Sequence, residues 1–186
     1  MSGNRPSSRS RILAAAAALA RDAGPGKLSL DAVAGRAGVS KGGLLYHFPS
    51  KAALMTGLVE DYIAEFEANL DEAVTRDDSG EALMKAYVAM SLKSLDEKQP
   101  PASWIFSAMA EDPDFLDPFN DFRRKLLQRL LAGSADRTRT LLAYLAIEGM
   151  HSLKLFGADL LSGDDRDAID AYLLSGSTET PASPEE

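Results

Sequence analysis

The residues able to do chemistry gather in one short stretch. Residues 29–51 read SLDAVAGRAGVSKGGLLYHFPSK. Within it, Ser40 and Lys41 are followed by Gly42 and Gly43, then Leu44 and Leu45, then Tyr46 and His47. A hydroxyl, an ammonium, two glycines and an aromatic pair at this spacing suit a phosphate backbone. The free N–H groups and positive dipole end of a helix start attract phosphate. Lysine adds the charge that drives salt-dependent binding to a duplex. Gly42 and Gly43 each cost about 1 kcal/mol of helix propensity relative to Ala. That cost is understandable where backbone must approach a ligand closely, although the same glycines would also simply soften a short helix.

Other chemistries find no support. There is no cysteine, which removes disulfides, thiolate metal sites and cysteine nucleophiles. The two histidines, His47 and His151, are too few for a histidine-rich metal site. The acidic stretch Glu111-Asp112-Pro113-Asp114, with Asp117 and Asp121, lacks the glycine and ligand spacing of a calcium loop and reads as a solvated helix start. No nucleophile elbow or phosphate-cradling glycine loop is present. The chain is therefore expected not to be an enzyme and to need no cofactor or metal.

Charge is distributed unevenly. The formal net charge is −8, yet residues 1–51 carry eight Lys/Arg against two Asp/Glu, and residues 52–186 carry twelve against twenty-six. A basic head on an acidic body can neutralise phosphates while the body stays clear of the duplex. The longest apolar run near the N-terminus, Ile12 to Ala20, is mostly alanine and too short to span a bilayer. A soluble, cytoplasmic protein with no membrane association is expected.

The elements that must position these residues all read as helix, and the expected fold class is all-α. Residues 1–8 are polar and are expected to form a disordered basic arm, with Arg5, Arg9 and Arg11 leading into the chain. A first helix runs from Ser10 to Ala23, with Ile12, Leu13, Ala16, Leu19 and Ala20 on one face. Gly24-Pro25-Gly26 stops it. Ser29 caps a second helix that runs to about Ala37, Gly38 breaks it, and Ser40 caps a third of about seven residues. Val33, Ala34, Val39 and Leu44 are apolar or small where these helices meet. Pro49-Ser50 leads into a long fourth helix, Lys51 to about Arg76, with Leu54, Leu58, Tyr62, Phe66 and Leu70 on its apolar face. Further helices follow over Glu81–Glu97, Trp104–Met109, Asp114–Leu131, Ala135–Phe156 and Asp164–Leu174. Residues 175–186 are a polar tail expected to be disordered. Two short helices joined by a turn at Gly38 form a helix-turn-helix.

The segment AVAGRAGVSKGGLLYHFPSKAAL resembles the DNA-binding signature of the tetracycline-repressor (TetR) family of bacterial transcriptional regulators. The Ala-Gly-Val-Ser turn, the short helix ending in aromatics and His-Phe, and the Ser-Lys step into a long helix all stand in register. The likeness covers residues 10–75. It implies DNA contacts at Ser29, Ser40, Lys41, Gly42, Gly43, Leu45, Tyr46, His47 and Lys51, with Phe48 used for packing. The chain departs from the family pattern at Leu45, where members usually carry tyrosine, and at Gly43, where they often carry threonine. Base reading then falls to Lys41, to Leu44 or Leu45 against thymine methyls, and to the basic arm in the minor groove.

Residues 77–174 collect mixed methionine and aromatic side chains that adapt to apolar ligands and equally suit a core. With the resemblance, they imply a cavity for a small apolar or amphipathic effector, drawn from Met84, Tyr87, Trp104, Phe106, Met109, Phe119, Tyr144, Glu148 and His151. On a wheel set at Leu141, the apolar arc of helix Ala135–Phe156 runs from Tyr144 through Leu155, Leu145 and Phe156 to Leu153. Glu148 and Ser152 fall inside it and His151 at its edge. A carboxylate there is costly to bury unless paired, so Glu148 either lines a pocket, pairs across a dimer seam or reaches solvent.

The expected organisation is a basic arm (1–8), a helix-turn-helix domain (9–50), a connecting helix (51–76), a helical effector-binding and dimerisation domain (77–174) and a tail (175–186). The resemblance implies a homodimer on double-stranded DNA at a near-palindromic operator, acting as a repressor released by an effector. The alternative is a regulator of the same fold without an effector, controlled by abundance or a protein partner.

Overall fold

The computed structural model describes residues 7–23, 28–74, 79–96, 113–158 and 160–175. The expected helix Trp104–Met109, and with it Trp104, Phe106 and Met109, lies outside the described residues, as do Arg5, Gly24-Pro25-Gly26 and the tail from 176. Among the described residues the chain is helical and has no strand: α1 (Ser8–Ala23), α2 (Leu30–Ala37), α3 (Lys41–His47), α4 (Lys51–Val74), α5 (Gly80–Asp96), a 3₁₀ turn (Pro113–Leu116), α6 (Asp117–Ala132), α7 (Arg137–Leu155) and α8 (Gly163–Leu174).

Local capping chemistry sets most of these boundaries. Ser29 Oγ accepts from Ala32 N–H at 3.2 Å, Ser40 Oγ from Gly43 N–H at 3.0 Å and Ser50 Oγ from Ala53 N–H at 3.0 Å. Asp136 and Ser162 do the same for α7 and α8. Each such cap contributes about 1 kcal/mol. Two expected boundaries are corrected by a cap. Ser7 Oγ accepts from Ser10 N–H at 3.1 Å, so α1 begins at Ser8, inside the stretch expected to be a disordered arm. The Asp136 cap starts α7 at Arg137 rather than Ala135. Gly38 ends α2 at φ +64°, a left-handed conformation that glycine adopts without a Cβ penalty.

The chain divides into two compact units, residues 1–68 with 98–125, and residues 69–97 with 126–186. The core of the first joins Ile12, Leu13, Ala16 and Ala20 of α1 to Val33 and Ala34 of α2, Leu44 of α3, Phe48, and Leu54, Met55, Leu58 and Val59 of α4, with Phe115. In the second, α5 packs with α7 and α8. Tyr87 stacks on Tyr144 with ring centroids 5.8 Å apart. Asp71 pairs with Arg129 at 2.6 Å. Gly80 and Gly133 bring their backbones together so closely that a side chain on either would meet the other's main chain.

Helix α7 departs from the expected arc. Its buried residues are Thr140, Tyr144, Ile147 and Met150, whereas Leu142, Leu145 and Phe156 are exposed. At about 100° per residue, the centres of these two stripes lie about 180° apart. The expected arc centred on Leu145 and Phe156 is therefore the outward face, and Ile147 and Met150 mark the inward one. Ser152 lies on the exposed face, and its hydroxyl donates to Glu148 O at 2.8 Å. His151 and Glu148 are half-buried, and His151 Nδ1 lies 3.0 Å from Ile147 O.

Candidate nucleic-acid interface

The helix-turn-helix is built by three devices, two local and one reaching from the first helix. The N–H groups of Gly38 and Val39 donate to Gly35 O and Ala34 O at 3.3 and 3.1 Å, closing the end of α2. Arg11 of α1 reaches across and donates from Nη2 to Gly38 O at 3.1 Å, fixing the turn to the first helix. Leu44, fully buried, and Phe48, four residues later, anchor α3 into the core. With that face fixed by the helical period, Leu45 and Tyr46 must turn outwards.

The outer face of α3 carries most of the residues expected there. Ser40, Lys41, Gly42 and Leu45 are exposed, and Tyr46 is 85% exposed. His47 is half-buried and meets the Tyr46 ring edge-on at 5.2 Å. Ser29 is exposed at the start of α2, and Lys51 is half-buried at the start of α4. Gly42 has open space around a notional Cβ, so nothing among the described residues requires a glycine there. Gly43 differs: a Cβ would lie 3.2 Å from Ser40 Oγ, the atom that caps its own N–H.

Three residues named for base reading are engaged within the fold. Leu44 is fully buried in the core, whereas Leu45 is exposed. Arg9 and Arg11 belong to α1 rather than to a free arm. The Arg9 guanidinium lies 5.5 Å over the Phe48 ring and pairs with Glu60 at 3.6 Å, while Arg11 holds the turn.

One residue of this surface carried no sequence signal. Asp31, in the first turn of α2, faces Lys41: Nζ lies 2.9 Å from Oδ1 and 3.2 Å from Oδ2. The two residues are ten apart on different helices, a spacing with no helical periodicity, and the turn at Gly38 brings them together. Both side chains are well exposed, and a pair of this kind contributes at most about 1 kcal/mol to stability.

The residues expected to line an effector cavity do not all fall in one unit. Met84, Tyr87, Tyr144, Glu148 and His151 belong to the second unit, and Phe119 to the first, where it packs against the core. Two clefts are formed by other residues. One of about 460 Å³ in the first unit is lined by Ile63, Pro118 and Phe122 with the carboxylates of Glu60, Glu67, Asp117 and Asp121. Another of about 560 Å³ in the second unit includes Met150, Leu153, Leu160, Leu161, Lys154 and Arg166. Among the described residues no group of three or more His, Asp or Glu could hold a metal ion, and no helix is long and apolar enough to cross a membrane.

The family model "Bacterial regulatory proteins, tetR family" matches residues 12–58, and "Tetracyclin repressor-like, C-terminal domain" matches residues 81–177. No curated protein matches the chain. Among solved structures, the multidrug binding protein EbrR complexed with ethidium is 21% identical, covering 91% of this chain and 98% of that one, with a TM-score of 0.67. A transcriptional regulator from Rhodococcus sp. Rha1 is 21% identical over 91% of this chain and 95% of its own, with a TM-score of 0.64. SmeT, in a complex with triclosan, is 18% identical over 96% and 97% of the two chains, with a TM-score of 0.62. The structural likeness shows the fold, and the matched regions take in the helix-turn-helix together with most of the helices that follow it. The chain belongs to the tetracycline-repressor family of bacterial transcriptional regulators.

Proposed function

We propose that this chain acts as a homodimeric repressor that binds a near-palindromic operator and is released by a small apolar or amphipathic effector. The observation that carries the DNA-binding half is the division of α3 into two faces. Leu44 and Phe48 hold it in the core, while Ser40, Lys41, Leu45 and Tyr46 stand outside on a basic segment, and Ser29 is exposed at the start of α2. Helix α3 would enter the major groove, with Lys41 and Leu45 near base edges. Ser29, Ser40, Tyr46, His47 and Lys51 would contact phosphates, and the backbone at Gly42 and Gly43 would approach the duplex closely.

The dimer is supported by the outward stripe of α7. Leu142 and Leu145 are each 61% exposed and Phe156 is 74% exposed, with Gly149 offering a flat surface between them. Tyr172 and Leu174 of α8 are exposed as well. Apolar side chains in a contiguous exposed stripe mark an interaction surface. In a two-fold dimer the recognition helices would lie roughly 34 Å apart, or a multiple of it, to meet successive major grooves.

The effector half is supported by the family and by the ligands seen with EbrR and SmeT. Residues 9–50 would form the DNA-binding domain, 51–76 the connecting helix, and 77–174 the effector and dimer domain, with Met84, Tyr87, Tyr144, Glu148 and His151 of the second unit as pocket candidates. An effector that weakens DNA binding must itself bind the DNA complex less tightly.

Selection of bound sequences from random duplexes tests the reading. The expected outcome is an enriched near-palindrome whose affinity falls steeply with salt. Lys41→Ala should lower the salt slope by about one for each phosphate that the lysine no longer neutralises. No enriched sequence at low salt would overturn the reading.

A further inference from the structure

The ion pair between α2 and α3 ties Lys41, the side chain best placed to bind DNA, to a carboxylate on the same exposed surface. An ammonium has three N–H donors. The geometry directs Lys41 Nζ at both oxygens of Asp31, at 2.9 and 3.2 Å, which leaves a donor for one further acceptor. The pairing also offsets the lysine charge by a neighbouring negative one.

These two effects act differently on the two kinds of DNA contact. Attraction to phosphate depends on net charge and is the same along any duplex. A hydrogen bond to a guanine O6 or N7 depends on a donor held in a defined place. A carboxylate beside the lysine weakens the first and preserves the second. We infer that Asp31 is a specificity-determining residue of the DNA interface: it restrains Lys41 and suppresses binding to non-cognate duplex more than binding to the operator. This rests on the DNA-binding function proposed above.

The test is a double-mutant cycle on the full-length chain, using a short duplex of mixed sequence and the selected operator as probes. Asp31→Asn keeps the shape and removes the charge. Its affinity for the mixed-sequence duplex is expected to rise about three- to fivefold per subunit, the scale of an exposed ion pair. Its salt slope there should steepen by up to about one, the signature of one more neutralised phosphate. Operator affinity should rise by a smaller factor, so the ratio between the two probes falls. In a Lys41→Ala background the same Asp31→Asn change should leave mixed-sequence binding nearly constant. An equal rise in both backgrounds would make Asp31 a general repulsive charge and overturn the inference, as would no rise in either. Asp31→Ala, checked by thermal unfolding alongside, repeats the cycle with a second side chain. If the unmodified chain binds neither probe at low salt, the DNA-binding function itself fails; if it binds both and the cycle is additive, only the role of Asp31 fails.

Discussion

Substituting Gly57 by alanine tests the packing that orients the recognition helix. Gly57 lies in α4 under the Phe48 ring, and a Cβ built on it would sit 2.6 Å from Phe48 Cε1 and 3.4 Å from Leu13 Cδ2. Carbon atoms in contact prefer about 3.5–4.0 Å, so the ring must retreat by about 1 Å. It has little room to do so, because Phe48 and Leu13 are 4% and 1% exposed. Overpacking of a tight core costs about 1–3 kcal/mol. Replacing glycine inside a helix returns about 1 kcal/mol of propensity. Gly35 provides the control: it lies in α2 with none of the described residues within 4 Å of a notional Cβ, so Gly35→Ala has only the propensity gain. The difference between the two variants isolates the steric cost. For a chain of this length that corresponds to a Tm for Gly57→Ala at least about 2 °C below that of Gly35→Ala. Thermal unfolding followed by circular dichroism reads it. Operator affinity should fall as well if the displaced ring carries the end of α3 with it, since Phe48 closes that helix by donating its N–H to Leu44 O at 2.8 Å. Equal melting temperatures, or a Gly57→Ala chain more stable than the control, would refute the idea that this glycine makes room for the ring.

Gly42→Ala should separate folding from binding: with open space around its Cβ, it should raise the stability of the free chain by up to about 1 kcal/mol in thermal unfolding and lower operator affinity. Unchanged affinity would show that the duplex does not need the bare backbone there. Leu145→Glu places a charge in the exposed stripe of α7 and should yield monomers in sedimentation velocity while helix content is retained. A dimer that survives this change would move the interface elsewhere.

The parts of the fold that are legible in the sequence are those set within a turn or two of chain. Ser29, Ser40 and Gly38 announce the helix-turn-helix because caps and a left-handed exit are local requirements, and the structure finds each in that role. Leu44 and Leu45 are adjacent and equally apolar, so composition does not separate them. The four-residue step from Leu44 to Phe48 does, because both must enter the core. The pairing of Asp31 with Lys41 and the clamp of Arg11 on Gly38 O join residues far apart in any helical period, and only the packing of α2 with α3 and α1 brings them together.

Helix α7 shows a different limit. Its apolar residues surround most of the helix, so a single wheel has no unique inward side. The arc through Leu145 and Phe156 is as apolar as the one through Tyr144, Ile147 and Met150. Packing within the chain uses the second and leaves the first outside. An amphipathic helix with one partner needs one apolar stripe. Two stripes on opposite sides call for two partners, and among the described residues the chain's own core supplies only one of them. The ambiguity on the wheel is thus a consequence of the surface that the proposed dimer would cover. The choice between a pocket and a seam for Glu148 then turns on which stripe it borders. Glu148 is half-buried, with its main-chain oxygen bonded to the hydroxyl of Ser152 on the outward stripe. At about 100° per residue it falls between the two stripes, beside Tyr144 on one hand and Ser152 on the other. A carboxylate at that edge can serve the seam without entering the core.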